Sequence, residues 1–291
     1  MAISSVYLDV WAQHPSTEKA KNTYQKFKEI AESIYGSKID IYLQGSYAND
    51  TNIKGESDVD IVLCFNDIVV DRNLYGYSFY QPYYSLRVNE LRDEVYNQMN
   101  HKFNFSLTKG SKTIKYSGNQ NYLPVDLVPC GRYSGISLGD NGIAIYDHDD
   151  GRTYINYPKL HIKNSEHKNG NCSGNYKKTV RMFKNAKEQL LARNLLMYSS
   201  IAPSYFVECL LYNVPDRLFV NNNYDTFKNI LTWLDQNKYR LSDMKCPNGK
   251  HFLFEEGFVS FNNQYVYKRW NTNDARKFID ALVNLWQSWG K

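Results

Sequence analysis

With 291 residues, 22% of them charged and 42% hydrophobic, the chain is long enough for two lobes and needs no disulfide or metal staple, and it is not a disordered sequence. No uninterrupted apolar run approaches the length that spans a bilayer, and Met1-Ala-Ile-Ser-Ser has neither the basic nor the apolar region of a secretory signal. The net charge of +5 hides a division: residues 1–150 hold 14 Lys/Arg and 19 Asp/Glu (net −5), and residues 151–291 hold the remaining 21 and 11 (net +10), which excludes a uniformly basic nucleic-acid binder and suits an enzyme holding cations with one lobe and polyphosphate with the other.

Taken in chain order, residues 16–35 place Tyr24, Phe27, Ile30, Ala31 and Ile34 at helical spacing behind a Ser16/Thr17 cap, and Gly36-Ser37 ends that helix. Three runs rich in Val, Ile, Leu and Tyr read as strands: Ile39–Leu43, Val59–Phe65 and Tyr122–Val128. Residues 84–100 read as helix and 111–117 as a further strand. Residues 131–175, dense in Gly, Asp and Asn, read as loops and short strands leading to a lobe boundary near 160–175. Beyond it the pattern is helical. Val180, Phe183, Lys187 and Leu190 share one face; Phe206, Leu210 and Leu211 suit a second helix; Tyr224–Trp233 suits a third; and Phe278, Leu282, Leu285 and Trp289 suit a terminal one. The five scattered cysteines (Cys64, Cys130, Cys172, Cys209, Cys246) point to a reducing, cytoplasmic setting.

The chemistry concentrates in Gln44-Gly45-Ser46 and Asp58-Val-Asp60. The two acids stand two apart at the start of a strand, so alternation puts both on one face. Carboxylates held that close repel unless cations neutralise them, and hard divalent ions prefer such oxygen ligands and share them with substrate phosphates. Upstream, with eleven residues between Ser46 and Asp58, Gly45 lets the backbone approach a phosphate and Ser46 can donate to it. Asp126 interrupts the apolar strand Val125-Asp-Leu127, where an unpartnered acid is costly, so it should face a site. Three carboxylates on neighbouring strands can hold two metal ions, which can activate a hydroxyl and stabilise leaving pyrophosphate.

This ordered set resembles the polymerase-β-type nucleotidyltransferases. The longer string Gln-Gly-Ser-Tyr-x5-Ile-x4-Asp-Val-Asp-Ile-Val is similar to the cGAS/DncV-like nucleotidyltransferases, bacterial makers of cyclic oligonucleotide signals. Arg181-Met-Phe-Lys184 and Pro203-Ser204-Tyr205-Phe206 resemble the family's later segments. The resemblance implies an α+β, two-lobed fold: a catalytic lobe of mixed twisted sheet with its N-terminal helix (residues 1–165), and a C-terminal helical lobe (166–291), with the active site in the cleft. It implies Asp58, Asp60 and Asp126 as metal ligands and catalytic residues, with Asp126 also acting on the attacking hydroxyl. Gln44, Gly45 and Ser46 would bind the nucleotide triphosphate, Lys184 and Ser204 its β/γ-phosphates, and Tyr205 would stack on the donor base.

The implied cofactor is Mg²⁺ or Mn²⁺, two ions. The substrates would be NTPs, joined into a cyclic di- or trinucleotide for antiphage signalling and read by a downstream cyclic-nucleotide-sensing effector. Neither a stable nucleic-acid partner nor a membrane is implied, and the chain is expected to be monomeric. Two other readings stand beside this one: a linear oligonucleotide synthase or transferase onto an RNA, protein or small-molecule hydroxyl, and a catalytically silent nucleotide-binding module. His161, His167 and Cys172 have zinc-like spacing, but only three ligands are present where a structural site wants four, so no zinc is expected.

Overall fold

The computed structural model describes residues 2–55, 58–71, 87–102, 106–134, 141–241, 244–247, 270 and 272–290. Helix α1 (Ser5–Ala12) precedes α2 (Glu18–Tyr35), which ends where Gly36, at φ +56°, donates its N–H to Glu32 O. The first lobe continues through β1 (Ile39–Leu43), the short helix α3 (Gly45–Ala48), β2 (Val59–Asp71), α4 (Leu91–Lys102), the hairpin β3 (Leu107–Lys109) and β4 (Ile114–Tyr116), then β5 (Val125–Ser134), β6 (Asn141–Asp147) and β7 (Arg152–Asn156). The strands form one mixed sheet in the order β1-β2-β5-β4-β3, with β6 joining the far half of β5 and β7 joining β6. Only β2 and β5 pair in parallel among these ladders.

Alternation along β2 and β5 sorts the two faces. Val59, Ile61, Leu63, Phe65, Val125 and Leu127 pack in one core with Phe27 and Ile30 of α2 and Val95 and Met99 of α4. Val62, Cys64, Val128 and Cys130 take the opposite face, with Ile143 and Ile145 of β6. Asp60 and Asp126 fall in the second set by parity, which turns them away from α2 and α4.

The second lobe is helical: α5 (Pro158–Asn171), α6 (Asn175–Ala192), α7 (Ser204–Tyr212), α8 (Asn223–Asn237) and α9 (Thr272–Ser288). Val180, Phe183, Phe206, Leu210, Phe227, Phe278 and Leu282 are fully buried in its core. The face predicted from Val180, Phe183, Lys187 and Leu190 is the buried face of α6.

Two elements depart from the expected layout. Ile3, Leu8, Trp11 and Ala12 pack into the helical core, so the first dozen residues belong structurally with the second lobe and not with the sheet. Residues 158–171, expected as loop, form α5, which runs straight across the expected boundary at 165. Its inward side chains are His161, Ser165 and Lys168, so no apolar stripe announced a helix; Pro158 at its first turn is the surviving signal. The strand reading of 122–128 was likewise displaced, to 125–134, and that of 59–65 extends to 71 past a register shift between Phe65 and Val69. The helix read over 84–100 begins at Leu91, its first three positions lying outside the described residues. Among the described residues no helix is long and apolar enough to cross a membrane.

Candidate active site

The turn after β1 is folded tightly against β2. Gln44 N–H donates to Asp60 O at 3.0 Å, Thr51 N–H to Ser46 O at 2.9 Å, and both the backbone N–H and Nδ2 of Asn49 to Gly45 O at 3.2 and 3.0 Å. Gly45 adopts φ +69°, and a Cβ there would lie 2.3 Å from Asp60 Oδ2. The position therefore disfavours a side chain twice: its backbone conformation is one that L-residues rarely adopt, and a Cβ would push the Asp60 carboxylate aside.

Asp60 and Asp126 are direct register partners on the parallel strands β2 and β5. Lys115 stands opposite Asp126 on β4, with Nζ 3.6 Å from Asp126 Oδ1. Asp58 lies exposed one residue before β2. Burial, then Asp126 and Asp58, push the Asp60 carboxyl up to about 7, against the pull of Lys115 and Lys184. Burial also raises Asp126; Lys115 counters this and Asp58 adds to it. Burial and Asp58 raise the Tyr47 phenol beside them. Of the three acids picked out in the sequence, Asp60 and Asp126 stand side by side on adjacent strands, and Asp58 lies close enough for its charge to raise both.

This donor set fits a divalent cation. The ligands are hard oxygens, their mutual repulsion is only partly offset by Lys115, and the missing side chain at Gly45 lets the turn lie directly against Asp60 Oδ2. Among the described residues no three His, Cys, Asp or Glu side chains are grouped closely enough to hold a metal ion as they stand.

The helical lobe meets the end of the turn after β1 through one stripe of α6. Lys177 Nζ lies 3.1 Å from Asp50 Oδ2, Arg181 Nη1 donates to Asp50 O at 2.5 Å, and Lys184 Nζ donates to Thr51 O and Oγ1 at 3.1 and 3.2 Å. Lys184, expected at the β/γ-phosphates, is 2% exposed, and its third donor goes to Glu208 Oε1 at 2.5 Å. Its charge still reaches the site, since it lowers the Asp60 carboxyl. Ser204 opens α7, and Tyr205 beside it is 36% exposed, its ring 5.0 Å from His161 and 5.7 Å from Trp270.

Sequence reasoning missed Glu208. It is buried, with Oε1 shared by Lys184 and the Thr51 hydroxyl (2.5 Å) and Oε2 3.2 Å from His161 Nε2. Burial alone would raise its carboxyl, but Lys184 and His161 outweigh that and hold it well below the usual carboxylate range. A signal existed: an acid within Phe206-Val-Glu-Cys-Leu-Leu211 is as anomalous as Asp126 within its strand. The zinc-like trio does not converge: His161 faces Glu208, Cys172 Sγ lies 3.7 Å from Asp216 Oδ1, and His167 is exposed.

A glycine-bearing turn pressed onto acids of adjacent strands, with a helical lobe packed behind it, is consistent with the nucleotidyltransferase class, whose members generally use divalent metal ions. Residues 24–134 match the nucleotidyltransferase domain family, and residues 163–287 match the cGAS/DncV-like nucleotidyltransferase C-terminal helical domain. The cyclic UMP-AMP synthase of Rhodothermus marinus is 34% identical over 306 residues, covering 100% of both chains. The cyclic nucleotide synthase CdnE01 of Staphylococcus haemolyticus is 33% identical over 314 residues, covering 99% of this chain and 100% of its own.

Among solved structures, the Rhodothermus marinus CdnE c-UMP-AMP synthase with Apcpp and Upnpp superposes with a TM-score of 0.81 at 32% identity, covering 99% of this chain and 98% of that one. The Elizabethkingia meningoseptica CdnE cyclic dinucleotide synthase with GTP and Apcpp gives 0.80 at 27%, covering 99% and 100%. The chain belongs to the cGAS/DncV-like nucleotidyltransferases.

Proposed function

We propose that this enzyme joins two or three NTPs into a cyclic oligonucleotide signal, releasing pyrophosphate at each transfer. The observation that carries the chemistry is the Asp60–Asp126 register pair, with Gly45 packed on Asp60 Oδ2. Asp58, Asp60 and Asp126 hold Mg²⁺ or Mn²⁺, two ions, which when bound supply charge neutralisation for the triphosphate and acidify the attacking hydroxyl. Asp126 orients that hydroxyl and takes up its proton, a role suited by a carboxyl that burial makes a weaker acid. Gln44, Gly45 and Ser46 line the phosphate side of the cleft. At the start of α7, Ser204 would donate to phosphate and Tyr205 would offer its partly exposed ring to a base. Lys184 contributes its charge from below the turn, held by Thr51 and Glu208.

Ring closure is supported by the relatives' named activities. Five free cysteines, all buried, suit a reducing cytoplasm, where the monomer would make a messenger for a cyclic-nucleotide-sensing effector in antiphage signalling. The test is incubation with all four NTPs and Mg²⁺ or Mn²⁺, then phosphatase and mass spectrometry. A phosphatase-resistant product supports the ring. Label that stays entirely phosphatase-sensitive means a linear synthase instead.

A further inference from the structure

The basic stripe of α6 does not open onto the cleft. Lys177, Arg181 and Lys184 are all buried and all end on two consecutive residues, Asp50 and Thr51. Those residues close the turn whose other end is Gly45-Ser46: Thr51 N–H is bonded to Ser46 O, and Asn49 caps Gly45 O. The stripe therefore reaches the phosphate turn from behind.

At the deepest point of this contact one carboxylate joins four elements. Glu208 sits on α7, binds Lys184 of α6, accepts from the Thr51 hydroxyl of the turn, and faces His161 of α5. Its own carbonyl accepts from buried Tyr176 Oη at 3.0 Å. It is one helical turn beyond Ser204, so the turn and the start of α7 are referred to the same anchor. A charge pair buried to this degree is costly unless its geometry is fixed by further bonds, and here those bonds run to the element that must hold the donor phosphates against Asp60.

We propose that Glu208 is a positioning residue for nucleotidyl transfer. Through Thr51 and Lys184 it sets the Gly45-Ser46 turn relative to Asp60 and Asp126, so that the two halves of the donor site, one from each lobe, keep a single spacing. This rests on the proposed nucleotidyl transfer at that site. The cleanest probe is Thr51→Val. It removes at constant shape the hydroxyl that donates to Glu208 and accepts from Lys184, and leaves the Lys184–Glu208 pair and the Lys184 bond to the Thr51 carbonyl in place.

Pyrophosphate release from NTPs is measured in steady state for the parent, Thr51→Val, Thr51→Ser, Glu208→Gln and Asp60→Asn, with circular dichroism to verify folding. Folded Thr51→Val should lose about 10- to 100-fold in kcat while KM moves far less, because a displaced turn spoils in-line geometry more than it weakens binding. Thr51→Ser, which keeps the hydroxyl, should recover most of that loss. Folded Glu208→Gln should show the same split; if it does not fold, the Thr51 pair decides alone. Thr51→Val turning over like the parent, or Thr51→Ser failing to recover what Thr51→Val loses, overturns the positioning role. A parent without turnover, or Asp60→Asn equal to the parent, overturns the underlying functional reading instead.

Discussion

Gly45 and Asp60 are fitted together so closely that one methyl group would separate them: a Cβ on Gly45 would sit 2.3 Å from Asp60 Oδ2, with Asp60 Cγ at 3.1 Å. Gly45→Ala must therefore strain a backbone at φ +69° and drive the Asp60 carboxylate out of place. The strain costs about 1–2 kcal/mol, and the displacement should cost at least about 100-fold in turnover. Gly55 is the control. It has φ +91° with nothing within 4 Å of an added Cβ, so Gly55→Ala bears the backbone strain alone and should lower the melting temperature while leaving the rate near that of the parent.

Asp60 ties stability to pH with an unusual sign. Its carboxyl is raised in the fold from 3.8 to about 7, so the folded state prefers the protonated acid and loses stability as pH rises across that interval, by at most about 4 kcal/mol when no cation is present. Asp60→Asn should remove this slope and melt higher than the cation-free parent at pH 8. Mg²⁺ should raise the parent's melting temperature far more than the variant's. Thermal melts at pH 5 and pH 8, with chelator or Mg²⁺, read both effects. A parent that melts no lower at pH 8 than the variant would contradict the raised acid.

Lys184 and Glu208 form the buried ion pair at the lobe junction, 2.5 Å apart. Lys184→Met leaves the Glu208 carboxylate with only Thr51 and His161, which should cost about 3–5 kcal/mol. Adding Glu208→Gln removes the stranded charge and should return part of that loss, a coupling that a double-mutant cycle of denaturation midpoints measures directly. Because the fold depresses the Glu208 carboxyl, its contribution is present at neutral pH and is lost as pH falls below the ordinary carboxylate range.

The parts of this molecule that could be read from sequence are those whose cause is local. β1 was legible to the residue and α2 nearly so, because alternation and helical periodicity are written within each segment. That Asp126 would sit among apolar strand neighbours was legible because an acid in an apolar strand is anomalous wherever it faces, whereas Asp58 falls one residue short of β2 and so lies outside the strand alternation. Helix α5 was not, because its inward face is His161, Ser165 and Lys168, and those residues make sense only beside Glu208, Val214 and Asp216. Lys184 was legible as part of a segment shared with the family, but its partner Thr51 lies more than a hundred residues upstream, so its approach to the turn from behind could not be read within that segment. Ile3, Leu8 and Trp11 carried too short a pattern to say which of two cores would take them.

Lys115 offers a last test of the carboxylate platform from outside it. Its ammonium is about half exposed and lies 3.6 Å from Asp126 Oδ1, directly across the β4–β5 ladder. It lowers both Asp126 and Asp60, working against their burial. Lys115→Met removes that opposition, so both carboxyls should titrate at higher pH. The acid limb of the pH profile of kcat/KM, which reports the free enzyme, should then move upward, with the plateau rate at alkaline pH changing less. Lys115→Arg keeps the charge and should leave the limb in place. Because the ammonium is half in water, salt should shrink the shift, and a limb that moves downward or stays fixed in Lys115→Met would show that Asp126 and Asp60 do not govern the acid side of the reaction.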